Sequence, residues 1–304
     1  MNSIEKIINF NTEIVADTCD IDLIKLYKPS DVTTNPSLIL SKCLDEKFKH
    51  LLNSNDLEQI LVNFGILISK EISGYISTEV DPNYSYNCME TINIARKVIK
   101  LYEKNGISKN RILIKIASTW EGIKAAEILE KEGIKCNMTL IFSLVQAVAC
   151  AQANVTLISP FVGRITDWYK SKGHKINSID DDYGVNSVKE IFGYFKKENY
   201  KTIIMAASFR NIDQIKALTG LDKLTISPKL LEDLINENDS NISYLDSPVC
   251  NKTFPIINLD IFNDEMSKNE MANFKLNEGI NKFIIDTNKL KEIIAKIEPQ
   301  NILN

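Results

Sequence analysis

Eight short runs of β-branched and apolar residues recur between residues 13 and 227, with amphipathic stretches of helical length between most of them. The runs predict strands at Glu13–Asp17, Asp31–Thr34, Tyr75–Val80, Ile112–Ala117, Cys136–Ile141, Thr156–Pro160, Thr202–Ala207 and Leu224–Ser227. Helical patterns fill Tyr86–Asn105, Thr119–Glu132 and Asn186–Asn199. Ser118-Thr119-x-Glu121 and Ser37 are expected helix starts, and Gly106 and Gly133 stand where helices should stop. Strands that alternate with helices give a parallel sheet, and about eight such units point to a closed (β/α)8 barrel with its helices outside. The 304 residues suit one such domain over 1–304. An open doubly wound sheet is the alternative, but it usually carries a Gly-rich first turn. Neither that turn nor a P-loop is present in this chain of 11 glycines.

Three regions fall outside the simple repeat. The connection from Asn35 to Gly74 is long enough for two helices. Arg164–Gly184 reads as a long connection carrying Lys170, Lys172, Lys175 and Asp180-Asp181-Asp182, either a solvated loop or a lid over the barrel mouth. Residues 241–260 look irregular, and Asp264–Lys296 is expected to form one or two amphipathic C-terminal helices packed on the barrel.

Charge and cysteine usage exclude several classes. With 36 basic and 40 acidic residues the net charge is −4, which argues against a nucleic-acid-binding protein. No charged residue lies between Lys135 and Arg164, but Asn137, Gln146, Gln152, Asn154 and Pro160 interrupt that stretch. It is expected to be two buried strands flanking a helix, not a membrane span. No export signal is visible, so the expected location is the cytoplasm, with no membrane partner. Cys19, Cys43, Cys88, Cys136, Cys150 and Cys250 show no C-x-x-C spacing and are expected as free thiols. His50 and His174 are the only histidines, so neither a metal site nor a histidine triad is expected.

Lys115 is the residue that points to chemistry. It interrupts the apolar run Ile112-Leu-Ile-Lys-Ile-Ala117, where an ammonium is costly to bury. Complete burial lowers a lysine pKa by up to ~3–5, and a neutral amine can attack a carbonyl to form a Schiff base. The structural alternative is a lysine paired to a buried carboxylate. Around it, Asp17, Asn35, Glu79, Asn137, Thr139 and Ser159 lie in or at the ends of predicted strands, most at the ends that build active sites in a barrel. Arg164, after the sixth strand, and Ser208-Phe209-Arg210, after the seventh, could bind phosphate, though surface ion pairs would account for each arginine equally well.

Several blocks then resemble the transaldolase family in its order. They are Asp31-Val-Thr-Thr-Asn-Pro-Ser-Leu-Ile39, Ile112-Leu-Ile-Lys-Ile-Ala-Ser-Thr-Trp-Glu-Gly-Ile-Lys-Ala-Ala126, Cys136-Asn-Met-Thr-Leu-Ile-Phe142, Leu157-Ile-Ser-Pro-Phe-Val-Gly-Arg-Ile165, Asp167-Trp-Tyr169 and Ala207-Ser-Phe-Arg-Asn211. The resemblance runs from about Val15 through Leu231 and weakens beyond. It implies a class I, Schiff-base enzyme of the longer classical branch, without cofactor or metal. Lys115 resembles the imine-forming lysine. Asp17 matches the acid/base on the donor's C4 hydroxyl, and Glu79 and Thr139 match the pair that holds a catalytic water. Asn35, Asn137 and Ser159 match residues on the dihydroxyacetone hydroxyls, while Arg164, Ser208 and Arg210 match the phosphate site. Trp120 and Phe161 match pocket walls, with phenylalanine where aldolase-type relatives have tyrosine. Two departures are a shorter Asn35–Gly74 connection and Ala206 where glycine is common.

The implied reaction moves a dihydroxyacetone unit from sedoheptulose 7-phosphate or fructose 6-phosphate to glyceraldehyde 3-phosphate or erythrose 4-phosphate, in the non-oxidative pentose phosphate pathway. A free fructose-6-phosphate aldolase and a non-catalytic sugar-phosphate-binding protein are the alternatives. A homodimer is left open.

Overall fold

The structure is a computed structural model that describes residues 2–237, 242–245 and 249–296. Eight strands carry the barrel: β1 (Glu13–Asp17), β2 (Asp31–Thr33), β3 (Ile76–Glu79), β4 (Ile112–Ala117), β5 (Cys136–Ile141), β6 (Leu157–Pro160), β7 (Ile203–Ala206) and β8 (Lys223–Ile226). All pair in parallel and in chain order, and β1 closes the sheet on β8 through Glu13↔Lys223 to Ala16↔Ile226. Each observed strand lies within a residue or two of its expected bounds.

The helices are α1 (Ser3–Asn9), α2 (Ile21–Tyr27), α3 (Pro36–Cys43), α4 (Leu57–Ser69), α5 (Cys88–Lys104), α6 (Trp120–Lys131), α7 (Leu144–Gln152), α8 (Gly163–Ser171), α9 (Tyr183–Glu198), α10 (Ile212–Lys216), α11 (Pro228–Asn236), α12 (Leu259–Ser267) and α13 (Glu270–Ala295). Local chemistry sets their ends. Thr119 caps α6 by accepting from Gly122 N, while Gly106 and Gly133 take φ of +77° and +74° just beyond α5 and α6, where a side chain would be strained. The Asn35–Gly74 connection holds α3 and α4, as its length suggested. The uncharged stretch from Lys135 to Arg164 is β5, α7 and β6.

Two expectations need correction. Ser37 does not start α3. Asn35 caps it by accepting from Leu38 N, with Pro36 in the first helical position, where its missing N–H costs nothing. Arg164–Gly184 is not one long loop. Its first part is α8, its last residues enter α9, and only a short link with a 3-10 turn at Ile179–Asp181 lies between. Residues 242–245 and 249–258 are irregular, as expected, while 241 and 246–248 lie outside the described residues.

Side chains inside the barrel stack in layers, because alternate residues of a strand face the same way. The middle layer is the apolar cluster Val15, Leu113, Leu157 and Met205. Two residues earlier along the strands lies a polar floor. There Lys223 Nζ donates to Glu13 Oε2 at 2.5 Å and Asp31 Oδ2 at 2.7 Å, and Lys135 Nζ donates to the Tyr75 hydroxyl at 2.6 Å. Two residues later than the apolar layer come Asp17, Lys115 and Ser159, at the C-terminal mouth. The sheet's period thus delivers these residues to one plane above the apolar layer.

Candidate active site

At the mouth, Glu79, Lys115 and Asn137 stand side by side, since Glu79↔Lys115 and Lys115↔Asn137 are register partners on β3, β4 and β5. Lys115 is 5% exposed. Its Nζ donates to Thr34 O at 2.9 Å and lies 3.1 Å from Glu79 Oε2. That approach is an ion pair rather than a well-aligned hydrogen bond, so Glu79 Oε2 accepts none from any described residue. Thr139 Oγ1 is likewise buried without a hydrogen-bond partner among the described residues. An unpartnered buried hydroxyl of this kind is costly in an interior and marks a place prepared for something polar.

Burial raises the pKa of both carboxyls. Desolvation pushes Asp17 above the ordinary aspartate value, against the pull of Lys115, a hydrogen bond from Thr33 and the charge of Arg164. Glu79 is also raised by desolvation, with Lys115 and Arg164 opposing. A carboxyl whose pKa is raised in this way gives up its proton less readily than an exposed one, which suits a group that must both take and return a proton. Beside them runs a hydrogen-bonded row in which Asn137 Nδ2 donates to Ser77 Oγ at 3.0 Å and Ser159 Oγ donates to Asn137 Oδ1 at 2.7 Å. Asn35 sits two residues beyond β2 with its side-chain oxygen committed to the α3 cap.

A second group lies where the segments after β6 and β7 meet. Gly163 N donates to Ser208 O at 2.8 Å, and Ser208 adopts φ +61°. A Cβ on Gly163 would come within 2.5 Å of Ser208 O and 2.6 Å of Arg210 Cγ, so only glycine fits there. Arg210 donates through Nε (2.9 Å) and Nη2 (2.7 Å) to Asp167 Oδ2. Arg164 lies with its guanidinium carbon 4.9 Å from the ring centre of Phe161 and 5.6 Å from that of Phe283 on α13. Burial, then repulsion from Arg210, holds its pKa below the ordinary arginine value. Two guanidinium groups kept close against their repulsion suit a dianionic ligand.

Phe161 is buried and meets Phe142 edge-on at 5.5 Å. Trp120 is different. Its ring contacts are with Phe262 of α12, at 5.6 Å, and with Lys124, and these do not join it to the lysine cluster. Sequence reasoning overlooked Thr33, Ser77 and Thr225, which share the inward face with Asp17, Glu79 and Lys223, and Asp167, which orients Arg210. Strand period would have exposed the first three. Among the described residues no group of three or more His, Cys, Asp or Glu side chains could hold a metal ion, and no helix is long and apolar enough to cross a membrane.

Fold and site together define an enzyme of the (β/α)8-barrel class, with a lysine and two carboxyls at the strand ends. Comparison with known proteins makes this specific. The family model described as Transaldolase/Fructose-6-phosphate aldolase matches residues 14–294. A transaldolase of Alteromonas mediterranea is 50% identical over 304 residues, covering 94% of this chain and 95% of its own. Transaldolases of Methylobacillus flagellatus and Saccharomyces cerevisiae are each 47% identical, covering 94% and 97% of this chain and 96% and 95% of their own. The chain belongs to the transaldolase/fructose-6-phosphate aldolase family, and within it to the enzymes of the transaldolase kind.

Proposed function

We propose that this enzyme transfers a dihydroxyacetone unit between sugar phosphates through an imine on Lys115. The observation that carries the reading is the Lys115 amine, buried at the end of β4 between Glu79 Oε2 and Thr34 O. A structural lysine would be expected to pair with a fully hydrogen-bonded carboxylate, whereas Glu79 Oε2 meets the ammonium only as an ion pair and accepts no hydrogen bond from any described residue.

Imine formation at the donor's C2 makes that carbon an electron sink. Asp17 takes the proton of the C4 hydroxyl as the C3–C4 bond breaks, the aldose phosphate leaves, and an enamine remains on Lys115. Addition of the enamine to an acceptor aldehyde reverses these steps, and Asp17 returns its proton. Glu79 and Thr139 move protons, through a shared water, as the imine forms and is hydrolysed. Asn137 and Ser159, with Asn35 at the rim, hold the hydroxyls of the three-carbon unit. Arg164, Arg210 and Ser208 hold the phosphate. Phe161 walls the pocket next to Arg164, and Trp120 supports α12 at its edge. The donors are sedoheptulose 7-phosphate and fructose 6-phosphate, and the acceptors glyceraldehyde 3-phosphate and erythrose 4-phosphate. These substrates support a cytoplasmic location.

Borohydride reduction in the presence of fructose 6-phosphate tests the reading. Mass spectrometry should find a dihydroxyacetone-derived fragment, or the whole sugar, on the peptide containing Lys115. No adduct, or an adduct on another lysine, overturns it. Fructose 6-phosphate cleavage should also need erythrose 4-phosphate, and rapid cleavage without acceptor would make the enzyme a free aldolase instead.

A further inference from the structure

Strand β5 does not reach the mouth regularly. It pairs with β6 as Asn137↔Leu157 and Met138↔Ile158, but the next partners are Ile141↔Pro160, so β5 carries one extra residue. The irregularity falls at Leu140, a fully buried branched residue with φ +57°. A non-glycine residue of this kind in the left-handed region is an outlier that persists only where its surroundings enforce it. Its side chain reaches α13, with Leu140 Cδ2 2.8 Å from where a Cβ on Gly279 would stand. The bulge follows immediately after Thr139, whose buried hydroxyl has no hydrogen-bond partner among the described residues.

The group that enforces the bulge is Gln146 on α7, itself 0% exposed. Its Oε1 accepts from Phe142 N at 2.9 Å and Ser143 Oγ at 3.1 Å, and its Nε2 donates to Leu140 O at 3.1 Å and Ser118 O at 3.0 Å. One amide therefore uses both acceptor sites and both donors. It ties the bulged strand to the segment that follows Lys115 on β4. From that segment, Ser118 donates to Thr139 O through both its N (2.9 Å) and its Oγ (2.8 Å). The carbonyls of Thr139 and Leu140 are thus each held from the same place, one directly by Ser118 and one through Gln146. The peptide between them cannot rotate without breaking this network, and that peptide sets the aim of the Thr139 side chain.

We infer that Gln146 is a positioning residue for the reaction at Lys115. It holds the β5 bulge so that Thr139 Oγ1 faces the space between Glu79 and the lysine. The inference rests on the proton-transfer role proposed for Thr139. Gln146 itself touches no reacting atom, and its effect passes through Thr139.

Gln146→Glu keeps the size and removes the donors to Leu140 O and Ser118 O. If Gln146 aims Thr139, the rate of borohydride-trapped imine formation and kcat should fall together by at least ~10-fold, toward the ~100-fold that a 1 Å misplacement can cost. KM for fructose 6-phosphate should change little. The decisive measurement is a cycle with Thr139→Val, in which Gln146→Glu should cost no more than a further ~2-fold because its target is already gone. Multiplicative costs, a loss confined to KM, or unchanged kcat with only a lower melting temperature would each overturn the inference. If Gln146→Glu does not fold, Gln146→Met goes through the same cycle, and failure of both to fold makes the residue structural and ends the proposal. Full activity of Thr139→Val alone would instead remove the role assigned to Thr139, a different failure with its own signature.

Discussion

Thr33 Oγ1 donates a 3.0 Å hydrogen bond to Asp17 Oδ1 and lies 2.7 Å from Thr225 Oγ1. Three strands, β1, β2 and β8, therefore converge on one carboxyl, which is kept in place while burial resists its ionisation.

Asp17→Asn should lower transfer by ~10²–10⁴-fold and raise the melting temperature. Asp17 and Glu79 both hold their protons more tightly in the folded protein than an exposed carboxyl does. The folded state therefore binds more protons than the unfolded chain between the ordinary and the raised values. The stability this contributes is complete at lower pH and is lost as pH rises through the folded values. Removing the charge at position 17 should flatten that decline in a denaturant titration repeated across pH. An unchanged profile would show that Asp17 does not carry it.

Arg210→Ala should weaken phosphorylated donors while leaving slow turnover of unphosphorylated analogues largely intact. A charge-assisted hydrogen bond is worth about 1.5–3 kcal/mol, roughly a tenfold to hundredfold effect on kcat/KM. Asp167→Asn should show the same selectivity at smaller amplitude, because it loosens the orientation of Arg210 without removing its charge. Equal losses on both substrate types would assign Arg210 to structure alone.

Phe161→Tyr should raise release of free dihydroxyacetone relative to transfer onto erythrose 4-phosphate by ~10-fold or more, since a placed hydroxyl can deliver a proton to the enamine. The phenyl ring is wedged between Phe142 and the guanidinium of Arg164, so the new hydroxyl has little freedom to turn away. An unchanged product ratio would mean that the enamine is protected by something other than this ring.

Lys223→Met should cost about 3–5 kcal/mol of stability, because it leaves Asp31 buried without its counter-charge. Burial lowers the pKa of Lys223, but the hydrogen bonds it donates to Asp31 and Glu13 outweigh it and raise the value above that of an ordinary lysine. Its contribution is thus full below the unfolded lysine value and is lost as pH rises through the folded one. Urea titrations of both proteins at neutral and strongly alkaline pH should show the gap narrowing.

The strands and most helix ends were legible because their causes are local, in apolar runs, capping residues and glycines after helices. Helix α8 was missed because Val162, at its start, offers no side-chain cap, and its nine residues follow directly from the barrel. Ser37 misled because it resembles a cap one proline too late. Lys115, Asp17 and Glu79 could be grouped from the sequence since period two and strand order place them. The Leu140 bulge could not, for it depends on Gln146 reaching across to Ser118 and on α13, which lies far along the chain from it. A hint existed in Ser143-x-x-Gln146, the spacing of a capping box, although here the glutamine reaches Phe142 N rather than the cap's own amide.

The seam between β1 and β8 joins residues some two hundred positions apart in the chain and runs directly beneath Asp17. Until that seam zips, the partial sheet has two bare edges, each able to pair with a neighbouring molecule. The hydroxyl of Thr225 is also absent from the Asp17 pocket until then. Closure is therefore both the slow, long-range event of folding and the event that brings Thr225 to Thr33 beside Asp17. A chain caught half-made would be adhesive but chemically silent.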